Sequence, residues 1–145
     1  MRFDRLTIPL QDALSEALDL ATNKRHPEIT SLHLLSSLIT KENSAVVPII
    51  QRLGVSKGQI NASISHEMEK LPSVTSGLHN PNLSYELQQV LETSWNFAQT
   101  LKDQYLSSEH VLLGMVREKT NHAGKILKKL GITQPHSGRD ERLPD

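Results

Sequence analysis

Apolar residues early in the chain fall at Leu6, Leu10, Leu14, Ala17 and Ala21, spacings of four, four, three and four. That rhythm lays them along one face of an α-helix. Thr7 is placed to cap the helix, and Pro9 is tolerated only in a first turn, so the start falls near Thr7. Pro27 disfavours helical geometry in the residue before it, so the helix should fade between Asn23 and His26. The run Ile29 to Ile39 predicts a second helix, capped by Thr30 or Ser31 and stapled by Ile29. A third is expected from about Ser44 to Leu53, closed by Gly54 in a left-handed turn. A fourth runs from Ser56 to Lys70 and stops before Pro72.

The same pattern is written again 77 residues later. Residues 6–55 align with 83–132 without a gap, and eleven of these fifty pairs are identical. They include Leu10/Leu87, Gln11/Gln88, Ser31/Ser108, His33/His110, Leu53/Leu130 and Gly54/Gly131. Leucine spacing alone can coincide between unrelated helices. An ungapped frame through three helices and a terminal glycine points to duplication. The second unit should start helices after Ser84, Ser107 and Asn121 and end at Gly131, with no counterpart of the fourth helix. The expected architecture is therefore all-α, a pseudo-twofold duplicated bundle of about seven to eight helices. Residues 1–73 form the first repeat, 74–82 a connector and 83–133 the second repeat. Residues 134–145, polar and broken by Pro and Gly, read as a tail or linker.

On the helix expected over 84–102, steps of 100° put Leu87, Leu91, Ser94, Ala98 and Leu101 on the core stripe. Val90 and Phe97 fall on one flank and Trp95 on the other. Phe97 and Trp95 are either packing residues or the wall of a groove.

Composition narrows the function. Aromatics are 3% of the chain, so the core must be built from Leu, Ile, Val and Ala. Sixteen basic residues balance sixteen acidic ones, which gives no basic face for nucleic acid. Lys125, Lys128 and Lys129 are better placed to complement the end of a helix. The absence of cysteine excludes thiol chemistry and fits a reducing, cytoplasmic setting. No signal-type apolar run opens the chain, and nothing approaches the ~18 apolar residues of a membrane span. Seven histidines raise the question of metal, but no pair has the i, i+4 spacing of a helical zinc site. His33 and His110, repeat equivalents, are expected to hydrogen-bond backbone at a helix start. Neither a nucleophile-elbow motif nor a phosphate loop occurs, so no catalysis and no cofactor are expected in this chain.

Two phrases carry a resemblance. Ile29 to Leu35 and Leu106 to Leu112 resemble the "I-[ST]-x-x-H-L-L" phrase repeated in Clp N-terminal domains, and Met1 to Thr7 resembles the opening of ClpB-type AAA+ disaggregases. The likeness covers roughly residues 1 to 133. It implies a recognition head, joined by a flexible linker to a hexameric ATP-driven ring, that captures unfolded or aggregated polypeptide. ATP would belong to the parent ring, and the isolated head is expected to be monomeric, with no nucleic-acid or membrane partner. The resemblance implies apolar groove residues at Leu91 and Phe97 and polar contacts at Thr7, Asp103 and Glu109. Thr93 and His110 stand where such relatives often carry Leu, which implies a more polar groove and brings His110 into the candidate set. Carboxylates at Asp103 and Glu109, around the start of a helix, also complement its positive end. Two other functions fit the same residues: an adaptor- or partner-binding head of another Clp ATPase, and a free-standing helical scaffold.

Overall fold

The structure, a computed structural model, describes residues 3–75 and 80–133. The expected tail and part of the connector lie outside these residues. A single 3₁₀ turn at Phe3–Arg5 precedes α1 (Ile8–Asn23), β1 (Glu28–Ile29), α2 (Ser31–Thr40), α3 (Val46–Arg52) and α4 (Lys57–Met68). The second unit supplies β2 (Asn82–Leu83), α5 (Tyr85–Thr100), α6 (Ser108–Arg117) and α7 (His122–Lys129). Thr7, Thr30, Ser56, Ser84, Ser107 and Asn121 each accept a backbone N–H at the start of the helix they precede. Gly54 and Gly131 close α3 and α7 at φ +88° and +94°, the left-handed region that favours glycine.

The two short strands were not foreseen. Glu28 and Ile29 pair in parallel with Asn82 and Leu83, and Leu6 bridges Leu106 in the same sense. Shifting by 77 residues turns Ile29 into Leu106 and Leu6 into Leu83. The two pairings are thus one contact made twice, each unit lending the strand that its partner needs. Segments this short give no alternating pattern to read. α2 packs on α7 as α6 packs on α3, which repeats the same exchange among helices. The fully buried leucines Leu10, Leu32, Leu34, Leu35, Leu87 and Leu106 belong to one core shared by both halves.

Helix α5 corrects two expectations. Val90 is fully buried, whereas Leu101 is 53% exposed. Leu101 lies past the last helical residue, where the chain turns through Lys102 at φ 63° and leaves the core face. Val90 is covered because α6 crosses α5 very closely at Gly114. A Cβ there would meet the Val90 carbonyl oxygen at 2.8 Å and collide with the Ser94 side chain. In the first unit the corresponding crossing sets Ser37 of α2 against α1, and the Ser37 hydroxyl donates to the Ala13 carbonyl at 2.8 Å. In the second, the hydroxyl comes from Ser94 on α5 itself and donates to the Val90 carbonyl at 2.6 Å. Ala13 and Val90 are repeat equivalents, so the same carbonyl is satisfied in both units by a serine that has changed helices. The volume it gave up on α6 is the glycine.

One carboxylate joins the halves. Glu86, in the first turn of α5, accepts from the Ser31 backbone N–H at 2.6 Å and from the Ser31 hydroxyl at 2.6 Å. It also accepts from the Ser84 hydroxyl at 2.9 Å and from the His122 backbone N–H at 2.9 Å. The starts of α2, α5 and α7 therefore converge on it, where their positive ends favour an anion. Glu86→Gln leaves the shape and removes the charge from this junction. Losing charge-assisted bonds to two helix starts should cost about 2–4 kcal/mol, read as a lower urea midpoint at unchanged m-value. Gly114→Ser should overpack the α5–α6 crossing by about 1–3 kcal/mol. Adding Ser94→Ala rebuilds the first unit's arrangement, and the pair should recover most of that loss in a double-mutant cycle.

Candidate functional site

The candidate residues arise from the turns that join helix to helix. Arg25 and Lys102, repeat equivalents, hold φ 60° and 63° after the ends of α1 and α5. The next residues fold back, with the His26 N–H on the Ala21 carbonyl at 2.9 Å and the Asp103 N–H on the Ala98 carbonyl at 2.8 Å. This C-terminal motif delivers position 26 in one unit, and 103 in the other, to the start of the next helix.

There each meets a capping histidine. The Thr30 backbone N–H donates to His33 Nδ1 at 2.8 Å, and the Ser107 backbone N–H donates to His110 Nδ1 at 2.9 Å. Because Nδ1 accepts, the proton of each neutral ring sits on Nε2. His33 Nε2 lies 2.8 Å from His26 Nδ1, and His110 Nε2 lies 2.8 Å from Asp103 Oδ2. The backbone role expected for these histidines is what the structure shows. Asp103 is explained as well: it is the acceptor for His110.

The candidate residues do not form one surface. Leu91 is 1% exposed and lies in the core, so it offers no groove wall, a correction that follows from its central place on the α5 stripe. His110 is buried and committed to its cap. Phe97 is half-buried, with the Arg117 guanidinium 4.9 Å above its ring, a cation–π contact that covers one face. Thr93, on the same helix, donates its hydroxyl to Glu118 at 3.1 Å. Trp95 is half-buried and packs against the core. Thr7 and Glu109 do come together. Both line a cleft of about 530 Å³ between the start of α1, the α2–α3 turn and the start of α6. Lys41 also lines it and pairs with Asp12 at 3.9 Å and Glu16 at 3.2 Å. Sequence periodicity missed Ser108 and Lys41 in this wall, because a cleft between units is assembled from turns and helix starts. The repeat alignment, which equates Ser108 with Ser31, was the signal that could have found Ser108. Among the described residues no group of three or more His, Asp or Glu side chains could hold a metal ion.

With this geometry in place, similarity to known proteins decides the family. Residues 5–130 match the model for the Clp repeat (R) N-terminal domain. The chain belongs to the Clp N-terminal domain family. It is 35% identical over 132 residues to the chaperone protein ClpB of Rhodopirellula baltica, covering 91% of this chain and 15% of the relative. It is 33% identical over 134 residues to ClpB of Pseudomonas putida, covering 92% and 16%. The chain thus spans about one-sixth of the length of these relatives. Among solved structures, the N-terminal domain of Hsp104 from Candida albicans has a TM-score of 0.76 at 22% identity, covering 88% of this chain and 83% of that one. A complex of the ClpV N-domain with a VipB peptide has a TM-score of 0.74 at 23% identity, covering 90% and 80%. These structural likenesses show the shared helical fold. No helix among the described residues is long and apolar enough to cross a membrane.

The two capping histidines of this Clp N-domain differ in their neighbours, and the difference is testable. Burial, followed by the nearby His26, Lys24 and His122, pushes the His33 imidazole down to about 4, against an opposing pull from Glu86. His26 is also lowered, by burial and then by Lys24. A depressed histidine stabilises the fold fully above its ordinary value near 6.5 and loses that contribution as pH falls towards 4. For His33 the loss amounts to about 3 kcal/mol, measurable by urea unfolding at stepped pH. His26→Asp copies the second unit and places a carboxylate on His33 Nε2. The His33 titration midpoint, followed by NMR, should then rise, and the stability loss between pH 6.5 and 4 should shrink.

Proposed function

We propose that this Clp N-domain is the substrate-recruiting head of a ClpB-like AAA+ disaggregase and that it engages unfolded or aggregated polypeptide. The observation that carries this is the alignment of nearly the whole chain with about one-sixth of ClpB chaperones, together with its match to the Clp N-terminal domain model. The parent ring supplies ATP hydrolysis, and the head supplies capture in the cytoplasm. Catching an unfolded chain requires apolar surface that a folded neighbour does not already cover. Phe97 fits that need: it is half-buried with the Arg117 guanidinium over one face of its ring, and partner surfaces are enriched in aromatic residues and in Arg. Thr93 and Glu118, hydrogen-bonded to each other, supply a polar rim. The Thr7–Glu109 cleft is a second contact region, suited to polar groups of the captured chain.

The other reading with specific support is a head that binds one dedicated partner. A ClpV N-domain with a VipB peptide has this fold, at a TM-score of 0.74. Casein, an unfolded probe, separates the two. Weak binding to casein and other unfolded chains supports recruitment, whereas tight binding to one folded partner with no casein binding overturns it.

Phe97→Ser should weaken casein binding roughly tenfold, the scale of losing one aromatic contact. Helicity by circular dichroism should stay near that of the parent, because Phe97 lies off the buried stripe. Unfolding of the variant would place Phe97 in the core and remove it from the recognition surface.

A further inference from the structure

The duplication is incomplete. α4 follows α3 in the first unit, whereas among the described residues no helix follows α7 in the second. α4 buries Ile60, Ile64 and Met68 and packs on α2 and α7. Between α4 and the end of α1 lies a cleft of about 570 Å³. Leu20, Lys24 and Ser36 wall it on one side, and Ile64, Met68 and Glu69 on the other. The repeat carries the first three to Phe97, Leu101 and Leu113. These are the side chains that a fourth helix of the second unit would face.

A face without its cover should be polar, because water-facing surfaces seldom gather large apolar side chains. This one is more apolar than its covered counterpart. Leu101 stands where the first unit has Lys24, Leu113 where it has Ser36 and Phe97 where it has Leu20. Leu101 is exposed, and Phe97 and Leu113 are half-buried. The edge of the face is basic. Lys102 is exposed beside Leu101, and Arg117, where the first unit has Thr40, stands over Phe97. The nearby acids are engaged, Asp103 with His110 at 2.8 Å and Glu118 with Thr93 at 3.1 Å. Residues 134–145 lie outside the described residues, and their sequence holds one aliphatic side chain, Leu143, too few to repeat the apolar stripe of α4.

We infer that Phe97, Leu101 and Leu113 form the docking face for an amphipathic helix of a partner protein, apolar along one stripe and acidic beside it. That helix takes the place which α4 fills in the first unit. Recognition of a helix in a groove reads apolar anchors about one turn apart, and α4 displays that spacing in Ile60, Ile64 and Met68. Glu69 and Lys24 line the same cleft, so the internal template also sets an acid of the helix beside a cation of the face. In the second unit the cations are Lys102 and Arg117, and acids at the edge of the partner's stripe complement them. The inference rests on the reading of Phe97 as a recognition surface and gives that surface a helical partner.

The probe is an acetylated, amidated peptide as long as the twelve residues of α4, with Leu at the spacing of Ile60, Ile64 and Met68, Glu on both flanks of that stripe and Ala elsewhere. One control replaces each Glu by Lys. Another replaces a central Ala by Pro, which keeps the apolar side chains and breaks the helix. Titrated into the 15N-labelled chain, the acidic peptide should shift the Phe97, Leu101 and Leu113 amides and gain helicity by circular dichroism. Its Kd should be at least tenfold tighter than that of either control. Leu101→Lys and Leu113→Ser give the second unit the residues of the first. Each should weaken binding several-fold at an unchanged melting temperature, since neither side chain is fully buried. Equal binding of the Lys or Pro control, or undiminished binding by the double variant, overturns the inference. So does a dimer in sedimentation that the double variant dissolves, which gives the face to a second copy. Casein binding that Phe97→Ser weakens, with no binding of the helix peptide, removes the helix and keeps the capture of unfolded chains. Binding of the helix peptide without casein binding keeps the helix and removes the recruitment reading.

Discussion

Helix starts carry backbone donors that the helix cannot satisfy, and a bundle that buries several of them together must bring acceptors to the same place. Glu86 does this for α2, α5 and α7 with one side chain. Its geometry constrains much else. Ser31 lies on the first unit and His122 on the second, so the carboxylate fixes the units' relative position as well as three helix ends. The Ser31 hydroxyl, held by Glu86, also accepts the Ala123 N–H at 2.9 Å and extends the tie into α7. The parallel pairing of Ile29 with Leu83 then brings the strand before α5 alongside the strand before α2. Without an anion at that point, these starts would face one another with like partial charge.

The duplication made most of the helices legible, because each boundary could be read twice. Caps at Thr7, Thr30, Ser84, Ser107 and Asn121 were visible as residue types at the right place in a periodic run, and the glycines at 54 and 131 marked where two helices close. What periodicity could not show was anything that depends on two chain segments meeting. The exchanged strands, the Glu86 junction and the close approach at Gly114 are all of this kind. Val90 is the plainest case. A helical wheel places it off the stripe, but a neighbouring helix that approaches to glycine distance buries a wider arc than the wheel assumes.

The candidate residues were less legible for a related reason. Leu91 and Phe97 were groove candidates through the family resemblance, while apolar spacing on α5 put Leu91 on the core stripe and Phe97 on a flank. Whether such a residue is core or surface depends on which neighbours arrive: Leu91 is 1% exposed, whereas Phe97 is half-buried with the Arg117 guanidinium over its ring. Asp103 and His110 were candidates as separate polar residues, and the structure makes them one unit. The left-handed turn at Lys102 throws Asp103 back onto the cap of α6, as Arg25 throws His26 back onto the cap of α2. Only Thr7 and Glu109, at helix starts on opposite sides of the pseudo-twofold relation, were drawn to a common cleft.

Comparing the two units position by position separates scaffold from divergence. Where a change in one unit is balanced by a change beside it, the pair preserves packing. The serine that moves from α2 in one crossing to α5 in the other, leaving Gly114 behind, still hydrogen-bonds the same carbonyl. The replacement of His26 by Asp103 likewise keeps an acceptor on the capping histidine. Glu86 and Pro9 break this rule, since nothing among the described residues of the first unit takes over the lost carboxylate. The anion that ties three helix starts together in one half of a near-symmetric molecule has no image in the other, so the symmetry of the backbone does not extend to the charge at its junction.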